Sequence, residues 1–255
     1  MHLEDRLINM RREKDILLMT HIVLGYPSFE ANREVVRQMV ENGVDCIEMQ
    51  IPFSEPMADG PVIMKANLDS LKRGTEVKQC LLFGAEMART HNIPFLYMTY
   101  YNIIFKYGEK EFIDECAASG ITGLIVPDLP PEQSDGFFSY AAEQNISTIL
   151  IYSPTSTDER LAELDKAGSG FIYCMARRGV TGSKSELDDT FDTYLQRCRK
   201  ATAKPLAVGF GIRSREDIAA LKGKADMAVI GSETIRLVDA EGAGSVGQFI
   251  TDLRS

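Results

Sequence analysis

Few side chains in this sequence could hold a metal. Histidine occurs three times, at His2, His21 and His91, and none is clustered with cysteine, which argues against a zinc site. Five cysteines (Cys46, Cys80, Cys116, Cys174 and Cys198) are scattered without a C-x-x-C spacing. An odd, dispersed set reads as reduced thiols, mostly small buried residues. No apolar run approaches membrane-spanning length, and residues Met1–Arg6 show no apolar signal region, so a cytoplasmic location is expected. No G-x-G-x-x-G follows the first predicted strand, which removes the main argument for a dinucleotide fold. Basic residues are also outnumbered: 28 Lys+Arg stand against 37 Asp+Glu, a net charge of −9. That balance argues against a nucleic-acid or anionic-membrane partner, while leaving room for a small local basic pocket.

What is present suits one large α/β domain. The 255 residues are 44% hydrophobic and 25% charged, enough apolar material for a sizeable core. Residues 2–13 predict a short amphipathic helix that could plug one end of a barrel. Strands are predicted at 16–22, around Glu48, and at 94–100, 122–126, 147–151, 170–175, 205–208 and 226–230. Between them lie helical patterns, among them one opened by Ser28 and ended by Asn42-Gly43, and others over 109–119, 132–144 and 214–221. Strands this continuously apolar face helices on both sides of a parallel sheet. Eight such units in this length favour a closed (β/α)8 barrel, a TIM barrel with an extra N-terminal helix, spanning residues 1–255 as a single domain. Chemistry in such barrels sits where strands end and βα loops begin.

The most informative stretch runs from Asp45 to Gly60. It begins as a strand with Cys46, Ile47, Met49 and Ile51 around a single carboxylate, Glu48, until Pro52 and Pro56 force a loop. An ionised acid inside an apolar strand is costly to bury. A second acid, Asp59, lies on the loop and can fold back over the first. Two carboxylates in two environments are the raw material for divided acid and base roles. The alternative is a Glu48 paired with a structural Arg or Lys and an Asp59 that only makes a turn.

Glycine turns follow the sixth, seventh and eighth strands: Arg177 to Gly182, Gly209-Phe210-Gly211, and Gly231-Ser232 opening a helix. Glycine lets backbone N–H groups approach an anion, and a helix N-terminus adds a favourable dipole. Together these turns predict a phosphate cradle; tight turns without a ligand are the alternative. The polar stretch from Ala176 to Leu187 is a candidate lid, with Arg177 and Arg178 serving closure or phosphate attraction, or merely forming a solvated face. Tyr100, Tyr101, Asn102, Asp128 and Tyr173 are placed at the barrel mouth; core packing is the alternative for the aromatics. His21 and His91 are read as structural, with no partner for either.

These motifs resemble the tryptophan synthase α-subunit family. The family pattern, roughly Glu-Leu-Gly-Ile-Pro-Phe-Ser-Asp-Pro-x-Ala-Asp-Gly-Pro, appears here as Glu48-Met-Gln-Ile-Pro-Phe-Ser-Glu-Pro-Met-Ala-Asp-Gly-Pro61. The resemblance continues through Gly25-Tyr-Pro27, Tyr100-Tyr-Asn102, Val126 to Pro130, Arg177 to Gly182, Val208 to Ile212 and Ile230 to Ser232. It implies that Glu48 is the catalytic acid/base and Asp59 the second catalytic carboxylate. Gly182, Phe210, Gly211, Gly231 and Ser232 match the family's phosphate-binding turns, and Tyr173 and Thr181 match residues linking the lid to the site. Gln50 departs from the family's usual glycine and brings a side chain close to the catalytic strand end. Glu55 replaces aspartate in the partner-facing loop, and Ile103 stands where many members have proline.

The resemblance implies retro-aldol cleavage of indole-3-glycerol phosphate to indole and glyceraldehyde 3-phosphate, without cofactor or metal. It also implies a β-subunit partner in an α2β2 complex, with Glu55 and Pro56 on the contacting surface. Another phosphate-binding barrel, such as an indole-glycerol phosphate synthase, would be expected to carry a catalytic lysine at a strand end, and none is found here. A non-catalytic activator of a β subunit would be expected to have lost one of the acids. A free-standing lyase that releases indole remains open.

Overall fold

Eight parallel strands close into a barrel in strict chain order. The computed structural model describes residues 1–175, 184–209 and 211–255, with the side chains of 184–189 excepted. The strands are β1 (Leu17–Val23), β2 (Cys46–Gln50), β3 (Phe95–Met98), β4 (Gly123–Ile125), β5 (Ser147–Tyr152), β6 (Ile172–Met175), β7 (Leu206–Gly209) and β8 (Met227–Ile230). Outside them run α1 (Leu3–Arg11), α2 (Phe29–Glu41), α3 (Pro61–Lys72), α4 (Val77–Thr90), α5 (Tyr101–Tyr107) and α6 (Glu109–Ser119). The helical ring continues through α7 (Phe137–Glu143), α8 (Asp158–Ala167), α9 (Lys184–Ala201), α10 (Arg215–Leu221), α11 (Ser232–Glu241) and α12 (Val246–Arg254). This is the TIM barrel that the alternation of apolar strands and helices predicts.

The period-two alternation of a strand divides the core in two. Inward residues such as Leu17, Met19, Leu96, Ile149 and Phe171 form one cluster inside the barrel. Outward residues such as Leu18, Ile47, Phe95 and Tyr97 join the apolar faces of the helices. Leu3 and Leu7 of α1 belong to the inner cluster, so the first helix is the expected plug. It enters at the amino end of the strands: a Cβ at Gly170 would lie 3.1 Å from Leu3 Cδ2 and 2.9 Å from Ser147 Cβ, where β5 begins. Gly123 is an interior glycine because a Cβ there would meet Leu96 Cδ2 at 2.6 Å and Ile149 Cδ1 at 2.7 Å.

A buried carboxylate ties the amino end together. Asp45, 1% exposed, accepts from Leu18 N at 2.8 Å and from the side chains of Lys14 and Arg254. Arg254 also donates to Ile16 O and Gly43 O, at 3.0 and 2.6 Å. Beginnings of β1 and β2 are thereby locked to α12.

Two predicted elements differ. The 94–100 strand ends at Met98, and Tyr100 instead caps α5, whose first N–H, that of Tyr101, donates to Asp128 Oδ1 at 2.9 Å. Asp128 is therefore a capping group on the outside of the loop, not a member of the cavity wall. The 132–144 helix is broken into a 3₁₀ turn (Pro131–Gln133) and α7, because Asp135 and Gly136 adopt positive φ values of 37° and 91°. Elsewhere the caps behave as read: Ser28 Oγ accepts from Ala31 N at 3.1 Å, and Gly120 ends α6 in the left-handed region. All five cysteines are free and buried. Among the described residues no helix is long and apolar enough to cross a membrane.

Candidate active site

Glu48 is placed by strand geometry alone. Cys46, Glu48 and Gln50 share the inward parity of β2, and all three are buried. The β1–β2 register sets His21 directly against Glu48. Both residues are 4% exposed, and His21 Nδ1 lies 3.3 Å from Glu48 Oε1. The expectation of an unpartnered, structural His21 is therefore corrected: pairing across strands depends on register, which a single strand's sequence does not display. Glu48 Oε2 is buried without a hydrogen-bond partner, as are His21 Nε2 and Gln50 Oε1.

Asp59 is placed by side chains that reach into its loop. Gln50 Nε2 donates to Asp59 Oδ2 at 2.6 Å, and the Tyr100 hydroxyl donates to the same oxygen at 3.2 Å. That hydroxyl also accepts from Ala58 N at 3.0 Å. The loop's first half is fastened separately, by Phe53 N donating to Asn67 Oδ1 at 2.9 Å and by a stacked Phe53–Tyr100 pair with centroids 5.0 Å apart. Gln50 thus ends β2 with its side chain on Asp59. Tyr100 is fully buried and works from behind the loop, off the cavity wall. Pro56 is buried too, and Glu55 and Met57 are the exposed neighbours, with Met57 83% accessible. Pro56 is therefore not on the loop's outer surface, because its ring turns inward where an apolar group belongs.

The electrostatics follow from this crowding. Burial pushes the Asp59 carboxyl above its ordinary range, while the Gln50 amide, the nearby His21 and the Tyr100 hydroxyl pull it back. Burial works against a charged His21, yet Glu48 first and Asp59 after it more than offset this and hold the imidazole above its usual value. Burial raises the Tyr173 hydroxyl, and the Glu48 and Asp59 charges raise it further.

One cavity of about 1000 Å³ at the carboxyl ends of the strands joins these groups. His21, Glu48, Asp59 and Tyr173 line it, over an apolar wall that includes Met98, Ile125, Ile151 and Val229. Gly209, Gly211, Gly231 and Ser232 line the same cavity from β7 and β8, and β8 flanks β1 on the side away from β2. Gly211 has φ +83°, and a Cβ built there would meet nothing within 4 Å, so its backbone faces open space. Gly231 and Ser232 begin α11, whose first-turn N–H groups point outward from the helix end. The acid in that turn, Glu233, is held by Arg236 at 2.9 Å and Arg213 at 3.5 Å. Of the other predicted site residues, Arg177, Thr181, Gly182 and Phe210 lie outside the described residues, as does most of the candidate lid. Tyr101 and Asn102 begin α5 and are not in the cavity wall.

Two buried-edge carboxylates and a run of glycine turns on one apolar cavity define a barrel enzyme for a small, anion-bearing substrate. Residues 7–250 match the family model described as tryptophan synthase alpha chain. The tryptophan synthase alpha chain of Desulfotalea psychrophila is 65% identical, over 100% of both chains. That of Desulforapulum autotrophicum is 53% identical, over 98% of this chain and 99% of its own. Among solved structures, tryptophan synthase from M. tuberculosis in its aminoacrylate-bound form matches with a TM-score of 0.90 and 28% identity, covering 100% of this chain and 98% of that one. A tryptophan synthase complex from Pyrococcus furiosus matches at 0.85 and 29%, over 93% and 97%. The chain belongs to the tryptophan synthase alpha chain family. It is a lyase that cleaves indole-3-glycerol phosphate to indole and glyceraldehyde 3-phosphate in tryptophan biosynthesis, in a family that works with a β subunit.

Proposed function

We propose that Glu48 and Asp59 divide the acid–base work of this cleavage inside one domain spanning residues 1–255. Glu48 gives a proton to indole C3 while Asp59 holds the ring N–H, whose positive character grows as C3 becomes tetrahedral. Glu48, now a carboxylate, takes the proton of the glycerol hydroxyl next to the ring. The C–C bond then breaks, its electron pair returns to the indole, and the hydroxyl carbon becomes the aldehyde of glyceraldehyde 3-phosphate. Glu48 ends as it began, so the cycle needs no outside proton. Each such transfer is worth on the order of 10²–10⁴-fold. One observation carries the reading: Glu48, a 4%-exposed acid on an otherwise apolar strand, lines the same cavity as Asp59.

The phosphate is assigned to Gly211, Gly231 and Ser232, with Gly182 and Phe210 as further members of the cradle. Backbone N–H groups there supply position more than chemistry. Tyr173 lines the pocket and Tyr100 braces the Asp59 loop from behind, while Arg177 and Thr181 are assigned to the lid. The chain works in the cytoplasm as part of an α2β2 complex. The exposed Met57 and Glu55, on the loop that carries Asp59, are the side chains offered to the β subunit.

The test is the rate of indole formation by wild type, Glu48→Gln and Asp59→Asn, with β subunit titrated in and complex mass measured. Both variants should bind glycerol 3-phosphate and fail to cleave. Near-normal turnover in either would remove that residue's role. Full activity without any complex would point to a free-standing lyase.

A further inference from the structure

Assigning Glu48 as the proton carrier leaves His21 unused, although its imidazole lies 3.3 Å from that carboxylate. His21 does not reach Glu48 by chance packing. The two are register partners on adjacent strands, both inward, both 4% exposed, with Nδ1 3.3 Å from Oε1. A sheet ladder holds such a pair more rigidly than any loop contact could. We infer that His21 is a positioning residue for Glu48, holding the carboxyl at one angle on the cavity wall through its contact with Oε1. The inference rests on the role given to Glu48 above.

A glutamate ends in two equivalent oxygens, and a proton carrier must present one of them at a fixed angle. Here the imidazole lies against Oε1, while Oε2 is buried with no hydrogen-bond partner, so among the described residues the ring is the contact that fixes the carboxyl's rotation. The Nδ1–H contact survives both states of the cycle. Whether the carboxyl carries its proton or has given it to indole C3, the same ring lies beside Oε1. His21 therefore holds Glu48 in place while its charge changes.

The surroundings agree. The titratable groups acting on His21 are Glu48 on β2 and Asp59 on the loop, with Tyr173 lining the same cavity; on its other side β8 pairs Met227–Ile230, none of them titratable, with the Leu17–Thr20 part of β1. Two carboxylates thus outweigh the cost of burial and keep the ring's proton above the ordinary range.

The experiment compares His21→Phe, which keeps a ring without a donor, with His21→Asn, which keeps a short N–H near the Nδ1 position but cannot titrate. Indole formation is followed as a function of pH in the complex with β subunit, alongside Tm and glycerol 3-phosphate binding. His21→Phe should lower kcat about 10–100-fold, with KM and phosphate binding little changed, the size typical of losing an orienting partner. His21→Asn should recover most of that kcat at neutral pH while losing the histidine limb of the pH profile. Wild-type kcat and pH profile in His21→Phe would overturn the inference, as would a His21→Asn variant no better than His21→Phe. If His21→Phe fails to fold, the pH profile of His21→Asn decides alone, and one identical to wild type overturns the inference. Glu48→Gln is run in the same series: turnover there would remove the underlying role of Glu48, whereas a dead Glu48→Gln beside a normal His21→Phe would remove only the role of His21.

Discussion

Asp45 and Glu48 lie three positions apart in the sequence, both nearly inaccessible, one just before β2 and the other at its middle. Their surroundings differ in one respect. Asp45 has both oxygens occupied, by Lys14 on one side and by Leu18 N and Arg254 on the other. Glu48 has one oxygen held by His21 and one unpartnered. A fully satisfied buried acid is a fastening, and a half-satisfied one is a tool. The barrel keeps stability at its amino end and chemistry at its carboxyl end, and these two acids divide along that line.

The sharpest way to break the comparison is to exchange the consequences of losing each acid. Glu48→Gln should lower kcat by roughly 10²–10⁴-fold and leave thermal unfolding nearly unchanged. Asp45→Asn should do the reverse. Stability should fall by roughly 3 kcal/mol, because two cations lose their partner, while turnover of the folded fraction stays normal. Urea titration together with an indole assay reads both, and a catalytic defect in Asp45→Asn would erase the distinction.

Next in size is the phosphate end. Gly211→Val forces a branched side chain into the left-handed region and into the open space beside the backbone. It should weaken glycerol 3-phosphate binding by about tenfold or more, a loss of about 1.4 kcal/mol. Isothermal titration would detect this, and unchanged affinity would move the cradle elsewhere.

A smaller effect is expected at Gln50, which replaces the family's usual glycine and donates to Asp59. Gln50→Gly removes one hydrogen bond to a charged group, worth about 1.5–3 kcal/mol, but Tyr100 still holds the same oxygen. A kcat loss of about tenfold is expected; a gain would mean that Gln50 restrains Asp59.

Smallest is the pH dependence of stability. The folded protein holds the His21 proton above the ordinary histidine range. The contribution of its attraction to Glu48 is therefore complete below the unfolded value and fades as pH rises through the folded one. The stability gap between wild type and His21→Phe should narrow as pH climbs. Asp59 carries the opposite cost. Its raised carboxyl makes ionisation unfavourable to folding, so Asp59→Asn should gain relative stability above the ordinary carboxylate range. A gap between wild type and His21→Phe that widens with pH would contradict the pairing.

Much of this was legible in the sequence because strands buried on both faces must be apolar throughout. That property exposed all eight strands, and it made Glu48 conspicuous as the acid that did not fit. The Asp59 loop was legible because two prolines forbid anything regular there. His21 was not, since its significance comes from the register between β1 and β2. A signal was available: His21 shares the inward parity of Leu17 and Met19 and stands near the strand's carboxyl end. The break at Asp135-Gly136 was also written in the residues, an Asp-Gly pair inside an otherwise helical pattern. Asp45 was hidden for a different reason, because Arg254 is 209 residues away in the chain.

Asp59 sits on a loop, yet its carboxylate is gripped by Gln50 from β2 and by Tyr100 at the end of β3. The scaffold, and not the loop's own backbone, sets where the charge points. Ser54, Glu55 and Met57, exposed on that loop, are thereby released from duty inside the site. On the roles proposed above, evolution can rewrite them to suit a partner subunit without moving the Asp59 carboxylate, so the chain's choice of companion and its chemistry can drift separately.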